Sequence, residues 1–186
     1  MTEEKRKSSR LMLGIALLFL GFLIIEGQRE IIPSSSFETE PVKISGLSGG
    51  EVKSEKLPKR IIIPEVSIDL EVKVAKVIGG YWEVFSDAAG WGEGSGVPGK
   101  MGNQVIFAHA KEGLFLPLRR VEKGVRVYVL TDEDWYIYEV GEIKEVFSKQ
   151  IEVIAETQNE TLTLYTCSGF QDSKRLIIIA KRLSLV

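Results

Sequence analysis

The chain has 186 residues, a formal net charge of −2, one cysteine and one histidine. This length allows one domain with a substantial core, and the slightly acidic balance argues against nucleic acid as a partner. A single cysteine excludes an intramolecular disulfide, and one histidine plus one cysteine fall well short of the usual ligand set of a zinc site.

An uncharged apolar run covers residues 11–25. It is shorter than the ~20 residues that usually span a bilayer, so a membrane anchor, a signal-peptide core and a buried helix compete as interpretations. No small-x-small cleavage motif follows Ile25, and the run has no polar face. We therefore expect an uncleaved transmembrane anchor over residues 11–27.

Basic residues precede this run, and they set the expected topology. They are Lys5, Arg6, Lys7 and Arg10. The positive-inside rule predicts that residues 1–10 are cytoplasmic and that everything after the anchor lies outside the cell. The expected localisation is therefore the cell membrane, with a single-pass type II topology.

A segment rich in Pro, Ser and Gly follows over residues 28–57 and shows no hydrophobic period. This composition predicts a flexible linker that lifts a domain clear of the lipid headgroups. The folded domain is expected over residues 58–186.

Period-two alternation within the predicted domain indicates several short strands. We expect strands at 60–63, 67–77, 104–110, 126–130, 135–147, 151–154, 161–167 and 175–183, and a helical turn at 114–121. Residues 81–103 are rich in glycine and predict a long ordered loop. Seven or eight strands without a long amphipathic helix predict an all-β barrel or sandwich.

The only cysteine lies at the tip of one predicted strand. In residues 161–167, Leu162 and Leu164 lie on one face of the strand and Cys167 lies on the opposite face. A turn over residues 168–174 then leads into a strand that begins with Arg175, so this guanidinium is expected beside the thiol. Arg182 lies roughly 23 Å further along that strand and is out of reach.

The only histidine, His109, also lies near a strand end, and cysteine nucleophiles need a nearby base and donors for the oxyanion. An uncoupled thiol and imidazole would be jointly active under ~1% of the time at pH 7. A cation such as Arg175 would lower the thiol pKa or hold the oxyanion, and the sequence leaves both roles open. The alternatives are a structural histidine and a cysteine that is only a small buried hydrophobe.

These residues resemble the sortase family. Residues 163–167 are similar to the TLxTC signature of sortases, Arg175 stands where the sortase arginine follows, and residues 102–109 look like the strand that leads into the catalytic histidine. The resemblance extends over about residues 59–183. One departure is Ala108, where sortases often have glycine before the histidine.

The resemblance implies a closed eight-stranded β-barrel with short helical turns and cysteine transpeptidation without a cofactor. Cys167 would attack an LPxTG-like sorting signal of a surface protein, His109 would protonate the leaving amine, and Arg175 would bind substrate and oxyanion. Thr166 and Ser168 would bind substrate, and a cell-wall precursor or pilin amine would accept the acyl group. Residues 28–57 show no lid motif like that of pilus-building sortases, which favours a housekeeping role. In this respect the chain is most similar to housekeeping or class D–F-like sortases.

Other interpretations remain open from the sequence. An L,D-transpeptidase also orders His, Cys and Arg, but it places histidine and glycine before the cysteine, where this chain has Tyr165-Thr166. A papain-like hydrolase places Cys before His. A non-enzymatic, membrane-anchored binding barrel would tolerate loss of the thiol. The acidic turn at residues 132–134 offers at most a weak calcium contact.

Overall fold

The computed structural model describes residues 56–169 and 173–183. The segments predicted as cytoplasmic (1–10), anchor (11–27) and, nearly entirely, linker (28–57) lie outside these residues. Across the described ranges, no helix is both long and apolar enough to cross a membrane.

Eight strands close a barrel in the order β1-β2-β5-β6-β9-β10-β8-β7, and β3 with β4 forms a separate hairpin. The strands are β1 (Arg60–Ile63), β2 (Ile68–Ala75), β3 (Val77–Ile78), β4 (Tyr81–Trp82), β5 (Ala89–Gly92), β6 (Gly102–Phe107), β7 (Arg126–Leu130), β8 (Trp135–Phe147), β9 (Glu160–Ser168) and β10 (Lys174–Arg182). Short 3-10 helices cover Pro64–Val66, Leu116–Arg120 and Ile151–Ile154. The predicted closed eight-stranded barrel is confirmed.

Two pairs of neighbouring strands in the barrel are parallel, β2 with β5 and β6 with β9. A parallel pair needs a long crossover connection, and β7 and β8 lie within the crossover from β6 to β9. Because the two strands run in the same direction, their carboxyl ends meet at the same edge of the sheet. The chain therefore brings the end of β6 beside the end of β9.

Strand β9 is buried on both faces, although its sequence alternates between leucine and more polar residues. Leu162 and Leu164 pack in the main cluster inside the barrel. Tyr165 points to the other face and packs in a second, outer cluster. The buried members of that outer cluster are Ala75, Trp82, Val105, Phe107, Ile154, Tyr165 and Ile177.

Two sequence predictions are wrong in detail. Ile151–Ile154 forms a 3-10 helix rather than a strand, because four apolar-rich residues do not distinguish a period of two from a period of three. The loop predicted over residues 81–103 contains β4 and β5, and β6 begins at Gly102. Glycine is depleted in strands generally, and here β5 is held by pairing with β2 and β6 rather than by its own propensity.

Candidate active site

The hairpin of β9 and β10 sets Cys167 directly opposite Arg175 in the antiparallel register. Directly opposed residues on neighbouring strands point to the same face, with Cβ atoms ~4.5–5.5 Å apart. The side chain of Arg175 therefore lies next to the thiol. Arg182 lies at the far end of β10, where its Nε is 3.8 Å from Glu160.

The parallel pairing of β6 with β9 brings His109 to the same level of the sheet. Phe107 is the last residue of β6 and pairs with Tyr165. The backbone N–H of Ala108 continues this pairing by donating to the Tyr165 carbonyl over 3.3 Å. His109 follows Phe107 by two residues, as Cys167 follows Tyr165, so His109 lies just past the end of β6 at the level of Cys167 in β9.

Cys167 and Arg175 lie on the outer face of the barrel wall. Phe107 and Tyr165 both belong to the outer cluster, and side chains two residues apart on a strand share a face. Cys167 and Arg175 are each only 3% exposed, whereas His109 is half-buried. The Cys167 thiol and the Arg175 guanidinium are therefore shielded from bulk water, which strengthens the electrostatic interaction between charged groups.

Hydrogen bonds to Tyr165 and Lys174 orient the guanidinium of Arg175. Its Nε donates to the Tyr165 hydroxyl over 2.8 Å, and one terminal nitrogen donates to the Lys174 carbonyl over 2.9 Å. The guanidinium carbon also lies 5.9 Å from the centre of the Tyr165 ring. Tyr165 was not among the predicted site residues, although its position two residues before Cys167 on one strand face was a usable signal.

The turn that carries His109 is attached to both β9 and the segment that follows. The hydroxyl of Thr166 donates to the Ala108 carbonyl over 2.8 Å. The backbone N–H of Phe115 donates to the His109 carbonyl over 3.0 Å. Thr166 faces the barrel interior and is 1% exposed, so the structure gives it a positioning contact, and its predicted contact with substrate stays a prediction.

Ser168 ends β9 on the inner side, one residue after Cys167. It is 3% exposed, and its hydroxyl forms no hydrogen bond with any described residue. It lines a cavity of about 470 Å³ at the mouth of the barrel. Its predicted role in substrate binding also stays a prediction.

A second polar contact that the sequence analysis missed holds the 3-10 helix Ile151–Ile154 beside the outer face. Asn103, in β6, is 3% exposed. Its side-chain nitrogen donates to the carbonyls of Val153 and Ala155 over 3.4 and 3.0 Å. Its side-chain oxygen accepts from the Thr163 hydroxyl over 2.7 Å. One amide therefore joins β6, β9 and the connection between β8 and β9.

The acidic residues 132–134 form the turn between β7 and β8. The Thr131 hydroxyl accepts hydrogen bonds from the backbone N–H groups of Glu133 and Asp134, and Asp132 lies 3.2 Å from the Lys59 ammonium. In the part of the chain that the structure describes, no three His, Cys, Asp or Glu side chains are grouped so that they could hold a metal ion.

Comparison with known proteins gives a consistent result. A family model described as "Sortase domain" matches residues 61–183. Sortase A of Streptococcus agalactiae is 29% identical over 168 residues, which are 84% of this chain and 66% of that protein. Sortase A of Bacillus anthracis is 31% identical over 154 residues, or 77% of this chain and 71% of that protein.

The barrel also resembles solved structures. Sortase A from Corynebacterium diphtheriae is similar with a TM-score of 0.61 and 26% identity, over 70% of this chain and 62% of that chain. The chain thus spans slightly less than two thirds of the streptococcal and corynebacterial proteins.

Proposed function

The chain belongs to the sortase family of cysteine transpeptidases, and from this premise we propose that it cleaves an LPxTG-like sorting signal and transfers the cleaved protein to an amine. The observation that carries the proposal is the strand register. It sets Cys167 opposite Arg175 on β10 and level with His109 after β6. A nucleophile, a titratable ring and a cation at one level of three neighbouring strands are the groups that acyl transfer needs.

In the proposed acylation step, the Cys167 sulfur attacks the carbonyl carbon of the Thr–Gly bond. The thiol proton and the proton needed by the leaving amine pass through His109, which is the side chain suited to this exchange near neutral pH. The C–S bond forms and the C–N bond breaks, which leaves a thioacyl enzyme and a free amine.

Arg175 stabilises the negative charge that develops on the carbonyl oxygen in this step. Its Nε is bound to Tyr165 and one terminal nitrogen to Lys174, so the plane of the guanidinium is fixed before substrate arrives. Donors that are already oriented need no reorganisation as the charge develops. Burial of Arg175 and Cys167 supports this role, because a shielded charge acts more strongly on its neighbour.

In the second step, an amine of a cell-wall precursor or a pilin attacks the thioacyl carbon. The new C–N bond forms, the C–S bond breaks, and the proton lost by the amine returns to the thiolate through His109. Residues 28–57 carry no lid motif like that of pilus-building sortases, which favours an open site and a housekeeping role in the attachment of surface proteins to the wall.

The enzyme is proposed to act at the outer side of the cell membrane. The predicted anchor of residues 11–27, with its apolar run at residues 11–25, would hold it in the membrane, with residues 1–10 in the cytoplasm and residues 28–57 as the linker to the barrel. Protease treatment of intact spheroplasts should remove the barrel while the amino terminus stays protected. Protection of the barrel in intact spheroplasts would contradict this topology.

Mass spectrometry of the full chain in detergent, incubated with a library of LPxTG-like peptides, tests the reaction. We expect an acyl adduct on Cys167 and release of the carboxyl-terminal fragment, both absent in Cys167→Ala. Addition of an amine should yield the transpeptidation product. Cleavage by Cys167→Ala at the wild-type rate would exclude the covalent mechanism.

A further inference from the structure

The 3-10 helix Ile151–Ile154 lies on the outer face of the barrel, the face that carries Cys167. Ile154, its last residue, packs in the outer cluster, which also contains Tyr165. Tyr165 precedes Cys167 by two residues on the same face of β9, a separation of roughly 7 Å at the rise of an extended strand. The helix therefore stands beside the approach to the thiol along the outer face.

Half-buried apolar side chains surround the outer cluster and leave part of their surface to solvent. One of them, Val153, belongs to the helix, and the others are Val84, Phe85, Val146 and Ile179. The proposed sorting signal begins with leucine and proline, which gain free energy when apolar surface of this kind covers them. The position of Val153 is therefore expected to affect how tightly the signal binds.

The end of this helix is held by a side chain from β6. The last carbonyls of a helix have no hydrogen-bond partner inside it, and a helix of four residues forms few bonds of its own. The Asn103 side-chain nitrogen donates to the Val153 carbonyl over 3.4 Å and to the Ala155 carbonyl over 3.0 Å. Both hydrogens of the amide nitrogen are thus used on the segment 151–155.

The chemistry of its partners fixes the orientation of the Asn103 amide. Carbonyl groups can only accept hydrogen bonds, so the amide nitrogen must face Val153 and Ala155. The amide oxygen then faces Thr163, whose hydroxyl donates to it over 2.7 Å in a buried hydrogen bond. Asn103 is 3% exposed, so little water competes for these bonds.

We propose that Asn103 is a positioning residue, which holds the segment 151–155 against the outer face before the sorting peptide binds. It does not touch the reacting atoms and acts through Val153. A segment that is already in place spares the bound complex the entropic cost of ordering it. This inference rests on the proposed transpeptidase function and adds to it a residue that sets the affinity for the peptide.

Steady-state kinetics of the full chain in detergent tests this role. Asn103→Ala should raise KM for a sorting peptide about tenfold and change kcat less than about twofold, because a cost of ordering weakens the ground state and the transition state alike. Fixing the backbone of a single residue corresponds to a change of that order. The control Tyr138→Phe removes a hydrogen bond to Glu160, at the start of β9, and should keep both constants. A lower kcat at unchanged KM, or equal KM shifts in the two variants, would overturn the proposal.

Hydrogen exchange in Cys167→Ala protein gives a measurement that needs no turnover. The backbone N–H of Ala155 donates to the Glu152 carbonyl over 3.2 Å. It should exchange slowly without peptide, and a saturating sorting peptide should slow it less than about twofold further. With Asn103→Ala added, its exchange should be fast without peptide and slow with peptide.

The two measurements separate this inference from the proposed reaction. Exchange of the Ala155 N–H that is fast until peptide binds, although Asn103 is present, would refute the holding role. A missing acyl adduct on Cys167 in the wild-type chain, with the exchange of Ala155 as expected, would refute the proposed reaction and leave the holding role of Asn103 supported.

Discussion

Arg175 is paired directly with Cys167 across β9 and β10, and its Nε donates to the hydroxyl of Tyr165, which lies two residues before Cys167 on β9. The guanidinium is thus bound by the strand that carries the thiol and lies beside it at the same time. The hairpin of β9 and β10 thus supplies the positive charge beside Cys167 and also fixes the orientation of the guanidinium that carries it. The orientation of the Arg175 guanidinium can therefore be tested separately from its positive charge.

Replacement of Arg175 by lysine should reduce kcat/KM for a sorting peptide by about 10²–10³-fold, the usual cost of removing an oxyanion donor. Lysine keeps the positive charge but loses the planar set of donors that binds Tyr165. Peptide turnover and thioacyl formation are to be measured together. Arg182→Lys, on the same strand at the opposite end, is the control and should leave turnover near wild type. Equal losses in the two variants would show that the effect is general destabilisation of β10.

Replacement of Tyr165 by phenylalanine should lower kcat about tenfold, as expected for loss of one orienting hydrogen bond. The ring, and with it the contact to the guanidinium carbon at 5.9 Å, is retained. If Tyr165 acts only by orienting Arg175, the change should have no further effect in an Arg175→Ala background. A double-mutant cycle measures this coupling. Full additivity would indicate that Tyr165 acts independently of Arg175.

The sequence predicted the parts of the fold that local patterns determine. Alternation located most strands, and a seven-residue turn was enough to place Arg175 near Cys167 and Arg182 far from it. The parallel pairing that brings Phe107 beside Tyr165, and so His109 toward Cys167, joins residues far apart in the chain. No local pattern determines such a pairing, and only the resemblance to sortases anticipated it.

The features that the sequence missed depend on tertiary contacts. Residues 89–92 contain two glycines and read as loop, yet β5 is packed so closely that a side chain on Gly92 would overlap the Trp82 ring. Asn103 falls at the end of the predicted loop 81–103, but in the structure it belongs to β6 and its side chain donates hydrogen bonds to residues 50 and 52 positions away. Secondary-structure propensity predicts neither contact, because both depend on the packing of segments that are distant in the sequence.

Replacement of Asn103 by alanine should destabilise the protein by about 1–3 kcal/mol, because one buried hydrogen bond and two partly buried ones are lost. The affected groups are the carbonyls of Val153 and Ala155 and the hydroxyl of Thr163. Urea unfolding measures the loss, and hydrogen exchange in residues 151–155 should rise beyond the global change. The control Asn159→Ala changes an exposed side chain on the same connection. Exchange that rises evenly throughout the domain would contradict a local holding role.

Replacement of Gly92 by alanine should cost about 1–3 kcal/mol by overpacking. An added Cβ would lie 2.4 Å from the Trp82 ring, and that ring cannot move easily. It is stacked on Phe107 with ring centres 5.5 Å apart, and its N–H donates to the Glu93 carbonyl over 3.0 Å. Thermal unfolding and Trp fluorescence check the change. Gly141→Ala, whose added Cβ meets nothing closer than 3.9 Å, should be close to neutral, and equal costs at the two positions would exclude the steric explanation.

Tyr138 is fully buried inside the barrel. Its hydroxyl donates to a carboxylate oxygen of Glu160 over 2.7 Å. Burial first, and then the hydrogen bond and charge of Glu160, raise the pKa of Tyr138 well above its ordinary value. The unfolded chain therefore loses this proton at a lower pH than the folded protein does.

The stabilisation linked to Tyr138 is complete below the unfolded pKa of about 10 and is lost as the pH rises above it. The slope is at most about 1.4 kcal/mol per pH unit for one proton. Tyr138→Phe should be less stable than wild type at pH 8, and the difference should shrink as the pH rises past about 10, because the phenylalanine variant has no such proton to lose. Urea unfolding between pH 8 and 11 measures both proteins, with Tyr81→Phe on the β3–β4 hairpin as the exposed control. A difference that stays constant throughout this range would show that the phenol of Tyr138 is not what couples folding to alkaline pH.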